Sequence, residues 1–305
     1  MPLKPLLDPE GTFRRVTGNL VGSLSAIFVF SLLIFFNSLQ TASLALKPFS
    51  ITAFRSFNRW AADAWWGLCV KVAAWVYGVR IKVSGDEVPM RENAVVISNH
   101  QQMPDIPVLL WFAKSKDRLG DLKWFVKDVI KYVPGIGWGM LFLDCPFIKR
   151  DWTSDKEYIK KVFERILKGR VPLWLVTFAE GTRFSPAKLK QSQDFAKKNG
   201  LFVPRHTLIP RTKGFVATVS ELGHHLDAVY DVTIGYIDGV PTLWQWIKGY
   251  VREVNLHVRR YPIESLPSGE TELSSWLMER FQQKDELLEG YYAEGQWPSV
   301  LPKKS

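Results

Sequence analysis

The stretch AVVISNHQQMPD, residues 94–105, joins an apolar run to a polar segment that contains a histidine and an aspartate. Residues 94–98 carry no charge and are rich in β-branched side chains, which predicts a strand buried on both faces. His100 follows the carboxyl end of that strand, and Asp105 begins a segment that favours a helix. Because active sites of α/β proteins gather at the carboxyl ends of parallel strands, this stretch predicts both the fold and the place of a site.

Beyond residue 78 the chain alternates between short apolar strands and longer helical segments. The predicted strands are 79–83, 94–98, 173–178, 228–237 and 251–257. The predicted helices are 106–114, 122–132, 154–168, 186–199 and 214–222. Apolar strands that alternate with helices predict an α/β fold, with a mainly parallel sheet flanked by helices.

Three regions are expected along the chain. Residues 1–78 are predicted to form N-terminal membrane-anchoring helices, and residues 79–262 the α/β domain. In residues 263–305 apolar side chains recur at helical spacing, which predicts a C-terminal amphipathic helix that docks on the domain. The tail after Gly290 is expected to be loose.

The first membrane segment is the clearest feature of the N-terminal region. No charged side chain occurs between Val16 and Leu46, and a spanning helix needs about 20 apolar residues. A signal peptide would have a shorter apolar region and a small-residue cleavage site, and a buried soluble helix of this length rarely lacks charge. The segment is therefore predicted to insert into a membrane.

The second apolar stretch, residues 60–77, carries Asp63 and Lys71 and is less simple. An interfacial or re-entrant helix fits it better than a second full span, with Trp66 among the headgroup-facing residues and Val72 among those that face acyl chains. A buried amphipathic helix that packs on the domain is the alternative.

Composition restricts the expected partners. Lys and Arg outnumber Asp and Glu by 40 to 30, which gives a net charge of +10 and favours phospholipid surfaces or phosphorylated substrates. No zinc-finger or recognition-helix spacing occurs, so nucleic acid is not expected. The 13 Trp residues suit either the headgroup layer or a large aromatic core. Cys69 and Cys145 form no CxxC pair, so neither a disulfide framework nor a structural zinc site is expected.

His100 and Asp105 are the candidate catalytic pair. A carboxylate beside one imidazole nitrogen fixes the tautomer and raises the basicity of the other, which can then take a proton from a hydroxyl. The chain has no GxSxG nucleophile, and direct acyl transfer to a hydroxyl needs none. Taken alone, such a pair more often marks a structural histidine at a strand-to-helix turn. Its spacing is poor for a metal.

The segment FAEGTR, residues 178–183, ends another apolar run. Arg183 is suited to bidentate contact with phosphate, and Glu180 is able to hold Arg183 or a substrate hydroxyl. By itself a Glu–Arg pair at a turn is usually a salt bridge.

Two other segments add positive charge. FIKR, residues 147–150, follows an apolar stretch, and PRTKG, residues 210–214, precedes a predicted helix N-terminus, where anions are favoured. Their basic residues are Lys149, Arg150, Arg211 and Lys213.

Together these segments resemble the four ordered motifs of the glycerolipid acyltransferases. The motifs are Asn99-His100…Asp105, Phe147-Ile148-Lys149-Arg150, Glu180-Gly181-Thr182-Arg183 and Asp231-Val232-Thr233-Ile234. The run 208–215 is similar to the eukaryotic lysophosphatidic acid acyltransferase branch, and the resemblance covers about residues 80–290. It implies that His100 is the base and Asp105 its orienting partner. It also implies acceptor binding by Lys149, Arg150, Glu180, Gly181, Thr182 and Arg183.

The resemblance implies transfer of an acyl chain from acyl-CoA to the sn-2 hydroxyl of lysophosphatidic acid, with no prosthetic group, at a membrane such as the endoplasmic reticulum. Gln102 and Lys149 depart from residues that many members carry, which leaves another lysophospholipid, such as lysophosphatidylinositol or lysocardiolipin, as an alternative acceptor. A non-catalytic membrane lipid-binding protein is the alternative of another class. Oligomeric state is not predicted.

Overall fold

The computed structural model describes residues 3–149 and 151–298 and is built around a six-stranded sheet. The strands are β1 (Arg80–Gly85), β2 (Ala94–Ser98), β3 (Leu122–Trp124), β4 (Val126–Lys127), β5 (Phe147–Ile148), β6 (Trp174–Thr177), β7 (Ala228–Gly235) and β8 (Glu253–Pro262). The helices are α1 (Thr12–Ala42), α2 (Ile51–Trp75), α3 (Asp105–Ser115), α4 (Ile136–Phe142), α5 (Trp152–Lys168), α6 (Pro186–Lys198), α7 (Thr212–Leu222), α8 (Leu243–Ile247) and α9 (Glu270–Glu294). Short 3-10 turns occupy Ser43–Leu46, Leu119–Asp121, Asp128–Tyr132, Gly223–His225 and Ile263–Ser265.

The sheet has the strand order β1-β8-β7-β2-β6-β3, so β2 lies between β7 and β6. These three strands and β3 run parallel to one another. The strand β8 is antiparallel to β7, and β1 pairs with β8 in parallel. The predicted α/β class with a mainly parallel sheet is confirmed. β4 and β5 form a separate parallel pair.

Both faces of the sheet are covered, which explains why its central strands are mainly apolar. On one face Ala94 and Val96 of β2 pack with residues of α2 and α3. On the other face Val95 and Ile97 pack with residues of α5, α7 and α9. The amphipathic α9 docks on the domain as predicted. It continues beyond Gly290 to Glu294, so the expectation of a loose tail from that residue is wrong, and residues 299–305 lie outside the described part of the chain.

The prediction of a helix over 122–132 is wrong. Leu122–Trp124 forms an edge strand instead, pairs with β6 and is buried at all three positions. Val126–Lys127 pairs with β5, and a 3-10 turn follows at Asp128–Tyr132. A short apolar run does not distinguish strand from helix by periodicity, and here pairing to an available sheet edge decided the structure. The helices α4 and α8 were not predicted.

Helix α2 is longer than the predicted stretch and begins at Ile51, where the Ser50 side chain accepts a hydrogen bond from the backbone N–H of Ala53. Trp66 and Val72 are buried against the domain, so their assignment to headgroups and acyl chains is wrong. Trp60 and Trp75 are exposed. The inner face of α2 therefore matches the alternative prediction for residues 60–77, a buried amphipathic helix that packs on the domain.

Helix α1 lies against the remainder of the protein along much of its length. Near its start Gly18 faces the ring of Tyr250, and further on Val29 accepts a hydrogen bond across 3.3 Å from the indole N–H of Trp65. Leu33 contacts the turn at Gly135. Within the described residues, α1 with its following turn is the single helix that is long and apolar enough to cross a membrane. Its outer face exposes large apolar side chains.

Candidate active site

The site lies where β2, β6 and β7 end side by side. Asn99 follows β2, and its side chain continues the pairing to β7 beyond the strand itself. Its Nδ2 donates to the carbonyl of Ile234 across 3.0 Å, and its Oδ1 accepts from the N–H of Ile234 across 2.8 Å. This paired side chain fixes the point at which the backbone leaves the sheet, and hence the position of His100.

His100 and Asp105 meet as the sequence predicted. Nδ1 of His100 lies 2.9 Å from Oδ2 of Asp105, which also accepts from the backbone N–H of Gln102 across 2.9 Å. Asp105 is fully buried and is the first residue of α3, where the N-terminal end of the helix favours negative charge. A carboxylate held in this way favours the tautomer that carries its proton on Nδ1.

Tyr236, one residue after β7, completes the support of this carboxylate. Its hydroxyl donates to Oδ1 of Asp105 across 2.8 Å, and its side chain is buried. Burial, reinforced by the charge of Asp105, raises the pKa of Tyr236 well above its usual range, so the phenol stays protonated and remains a donor. Sequence reasoning missed Tyr236. Its signal was its position at the carboxyl end of the strand that neighbours β2.

The imidazole ring of His100 stacks on Phe178, the residue that follows β6. The ring centroids are 3.9 Å apart and the planes differ by 14°. Phe178 is in turn backed by Trp124 at the end of β3, with centroids 6.0 Å apart. With Nδ1 beside Asp105 and one ring face on Phe178, Nε2 is the nitrogen available for proton transfer.

The segment 178–184 wraps around the backbone of His100. Oε2 of Glu180 accepts from the N–H of His100 across 3.3 Å, and the carbonyl of His100 accepts from the N–H of Phe184 across 2.8 Å. Glu180 is buried, and this burial raises the pKa of its carboxyl well above its usual range. Glu180 is therefore a neighbour of His100, although 80 residues separate the two in sequence.

Gly181 is required by a close approach. Its φ is +69°, and a Cβ at this position would lie 2.9 Å from Cδ of Arg211. The N–H of Arg211 donates to the carbonyl of Ala179 across 2.7 Å. Through these contacts the fold brings Arg211, one of the two cations of the 210–214 segment, to the loop that carries Glu180. The Arg211 side chain is exposed.

Arg183 does not pair with Glu180. Its Nη1 donates to Oε1 of Gln102 across 3.1 Å, so the guanidinium is tied to the loop between His100 and Asp105. Thr182 accepts a hydrogen bond from Nζ of Lys188, which also donates to the carbonyl of Arg183 across 3.3 Å. Lys188, in the first turn of α6, is a cation that sequence reasoning did not single out.

Lys149 and Lys213 have other surroundings. Lys149 is exposed, and its N–H donates to Asp155 Oδ1 across 2.8 Å. Lys213 is exposed in the first turn of α7. Within residues 3–149 and 151–298, no hydrogen bond or ion pair joins either lysine to His100, and Arg150 lies outside the described residues. In the same ranges no group of three or more His, Cys, Asp or Glu side chains is arranged to hold a metal ion.

Two family models match the chain. The model described as "Acyltransferase" matches residues 80–237, and the model described as "Acyltransferase C-terminus" matches residues 245–305.

Curated relatives cover most of the chain. 1-Acyl-sn-glycerol-3-phosphate acyltransferase 2 of Brassica oleracea is 35% identical over 269 residues, which are 86% of this chain and 69% of the relative. Probable 1-acyl-sn-glycerol-3-phosphate acyltransferase 5 of Arabidopsis thaliana is 33% identical over 98% of this chain and 80% of the relative. Lysocardiolipin acyltransferase 1 of Gallus gallus is 34% identical over 87% of this chain and 73% of the relative.

A solved structure has the same fold. The 1-acyl-sn-glycerophosphate acyltransferase PlsC from Thermotoga maritima superposes with a TM-score of 0.55, covering 94% of this chain and all of that one. The sequences are 18% identical, so this likeness concerns the fold.

Proposed function

Because this chain belongs to the acyltransferase family of the 1-acyl-sn-glycerol-3-phosphate acyltransferases, we propose that it transfers a fatty acyl chain from acyl-CoA to the sn-2 hydroxyl of 1-acyl-glycerol-3-phosphate, giving phosphatidic acid. The observation that carries the proposal is the buried carboxylate of Asp105, 2.9 Å from Nδ1 of His100, at the shared edge of β2, β6 and β7. A base held in this way, beside exposed cations, matches the needs of a phosphorylated acceptor.

In the proposed reaction Nε2 of His100 takes the proton of the acceptor hydroxyl as its oxygen attacks the thioester carbonyl. The C–S bond then breaks, and the thiolate of CoA takes the proton from the imidazolium. Asp105 stabilises that imidazolium through Nδ1, and Tyr236 keeps the carboxylate in place. General-base assistance of this kind contributes about 10²–10⁴-fold to a rate. Acyl-CoA is a co-substrate, and the proposed mechanism uses no prosthetic group.

The acceptor phosphate is proposed to bind at the loop of Arg183 and Arg211, with Lys188 beside it. An exposed guanidinium offers two parallel donors to phosphate oxygens. Gln102 holds Arg183 in a fixed direction relative to His100. The other residues proposed for acceptor binding are Glu180, Gly181, Thr182, Lys149, Arg150 and Lys213.

A second acceptor is supported by one observation, the similarity to a relative named lysocardiolipin acyltransferase. It leaves the chemistry at His100 unchanged and alters the headgroup beyond the acylated glycerol. We further propose that residues 1–78 anchor the protein in the membrane and that residues 79–262 form the acyltransferase domain. Residues 263–305 are proposed to form a C-terminal region that docks on this domain. The endoplasmic reticulum membrane is the proposed location.

Product analysis tests the proposal. Purified protein in detergent is given a panel of lysolipids and acyl-CoAs, and mass spectrometry identifies the products. Phosphatidic acid should predominate; a preference for lysophosphatidylinositol or lysocardiolipin would assign the second acceptor. His100→Ala should abolish transfer, while His224→Ala, at an exposed histidine, should not change it. Full turnover by His100→Ala would refute the base assignment, and inactivity of the wild type on the whole panel would favour the non-catalytic alternative.

A further inference from the structure

The segment 128–142, made of the 3-10 turn Asp128–Tyr132, a short connection and α4, packs on the core through Ile130 and Met140 and presents an outer surface that the proposed reaction does not use. Six large apolar side chains of this outer surface are 39% to 72% exposed. They are Val129, Tyr132, Val133, Ile136, Trp138 and Leu141. Soluble monomers rarely expose so many large apolar residues together, and such a patch marks contact with a membrane or a protein.

This segment is continuous with the outer face of α1. A Cβ at Gly135 would lie 2.9 Å from Cδ2 of Leu33, so the turn before α4 rests directly on that helix. Ile34 and Phe35, the next residues of α1, are 52% and 54% exposed. The contact between the two is also apolar, since a cavity of about 40 Å³ between α1, α2 and α4 is lined mainly by apolar side chains. The two exposed surfaces therefore form one larger surface.

Positive charge marks the base of the segment. β4 and β5 pair in parallel, Lys127 with Ile148, so the chain leaves and returns at the same place. Lys127 and Lys149 are both exposed there. Asp128, an acidic residue at the same end, is paired with Lys131 across 2.8 Å. An apolar segment with lysines at its two ends is suited to an anionic bilayer surface. The apolar side chains enter the acyl region, while the ammonium groups stay at the headgroups.

We propose that segment 128–142 is a second membrane-contacting element, which inserts its exposed apolar side chains into the same phospholipid leaflet as the outer face of α1. Trp138 and Tyr132 have the amphipathic rings that are enriched where headgroups meet acyl chains. Continuity with α1, the helix suited to a membrane by length and composition, selects lipid over a partner protein. The proposal concerns membrane contact alone and does not depend on which lipid is acylated.

Depth-dependent quenching tests the contact directly. Single cysteines replace Trp138 or Phe195 in the Cys69→Ala, Cys145→Ala background, and each is labelled with an environment-sensitive fluorophore. Phe195 on α6 is the matched control, because it is 54% exposed and lies outside the surface. On vesicles of phosphatidylcholine and phosphatidylglycerol, the label at 138 should shift to the blue and be quenched by spin-labelled acyl chains, whereas the label at 195 should remain in water. A label at 138 that stays in water on vesicle-bound protein would overturn the proposal.

Charge substitution supplies a second test with the native cysteines. Ile136→Glu with Leu141→Glu should weaken vesicle binding at least about tenfold, since 1.4 kcal/mol corresponds to that factor. Phe195→Glu should leave binding unchanged. Unfolding curves in detergent verify that all variants are folded. Unaltered binding by the double variant would contradict the proposal. So would cross-linking between 138 positions of two chains without vesicles, because the surface would then be covered by a second copy.

Discussion

The hydroxyl of Tyr236 donates to Oδ1 of Asp105 across 2.8 Å, on the side of the carboxylate opposite to His100. Both side chains are buried, and the phenol is held protonated because burial raises the pKa of Tyr236. A hydrogen bond to the charged form of a carboxylate stabilises that charge. Tyr236 therefore fixes the second oxygen of Asp105, and through Asp105 it acts on the orientation of His100.

Replacement of Tyr236 by Phe should slow the reaction. Without the donor, Asp105 loses the hydrogen bond to its second oxygen and holds His100 less firmly in the orientation that proton transfer needs. The value of kcat/KM should then fall about tenfold, the factor for a change of 1.36 kcal/mol. The measurement is kcat/KM for the lysolipid with saturating acyl-CoA.

Tyr230→Phe is the matched control. Tyr230 is likewise a buried tyrosine that donates to a carboxylate, that of Glu92, but it lies near the start of β7, whereas Tyr236 follows the end of that strand. Both variants should lose stability by about 1–3 kcal/mol, as expected for a hydrogen bond to a charged group. Only Tyr236→Phe should lower kcat/KM. An equal loss in both variants would mean that Tyr236 is merely structural.

Arg183→Ala should weaken the acceptor more than the donor substrate. Arg183 is exposed and directed by Gln102, and its loss should lower kcat/KM for the lysolipid by about 10–100-fold, the range for a charge-assisted contact. KM for acyl-CoA should change little. Arg205→Ala, at an exposed arginine paired with Glu289, is the control and should behave as wild type. Equal losses for both substrates would contradict a role in binding acceptor phosphate.

Glu180→Gln should alter how stability depends on pH. Burial raises the pKa of Glu180 above its unfolded value, so its protonated form favours the folded state. That contribution is fully present below the unfolded pKa and is lost as pH rises toward the folded pKa. The glutamine has no such dependence. The free energy of unfolding of the wild type, relative to the variant, should therefore fall as pH rises from about 4. A constant difference across pH would show that Glu180 titrates alike in both states.

The sheet and the edge that carries the candidate site were predictable, because buried parallel strands are recognisable in a sequence as short, continuous apolar runs. Residues 94–98 were predicted as a strand and form β2 with the same bounds. His100 and Asp105 lie five residues apart, so local geometry was enough to suggest that they meet. Tyr236 could not be found in this way, since 131 residues separate it from Asp105 and only the order of strands brings them together.

Helix faces were harder to assign than helices. The pattern of residues 60–77 predicted a helix with two sides, but it did not identify what each side would contact. Trp66 is buried against the domain and Trp75 is exposed, although both are tryptophans on the same helix. The neighbours that decide the matter come from α3 and the sheet, which are distant in sequence. The amphipathic pattern therefore predicted the helix, whereas the contacts of each face depend on tertiary packing.

The buried ion pair of Lys284 with Asp231 joins α9 to β7, and its loss should be costly. Nζ of Lys284 donates to Asp231, to the carbonyl of Val232 across 2.7 Å and to Oγ1 of Thr233 across 3.2 Å. Lys284→Met would leave Asp231 buried without its cation, and removal of one partner from a buried pair costs about 3–5 kcal/mol. Denaturant unfolding in detergent measures the change.

Two further variants separate the charge effect from packing. Asp231→Asn in the Lys284→Met protein removes the unpaired charge and should recover part of the lost stability. Lys82→Met breaks an exposed pair with Glu253, where the cost should be at most about 1 kcal/mol. If Lys284→Met lowered the free energy of unfolding no more than Lys82→Met does, the Lys284–Asp231 pair would not stabilise the packing of α9 on β7. Recovery in the double variant would show instead that the compensation of charge, rather than the length of the lysine side chain, stabilises this junction beside the site.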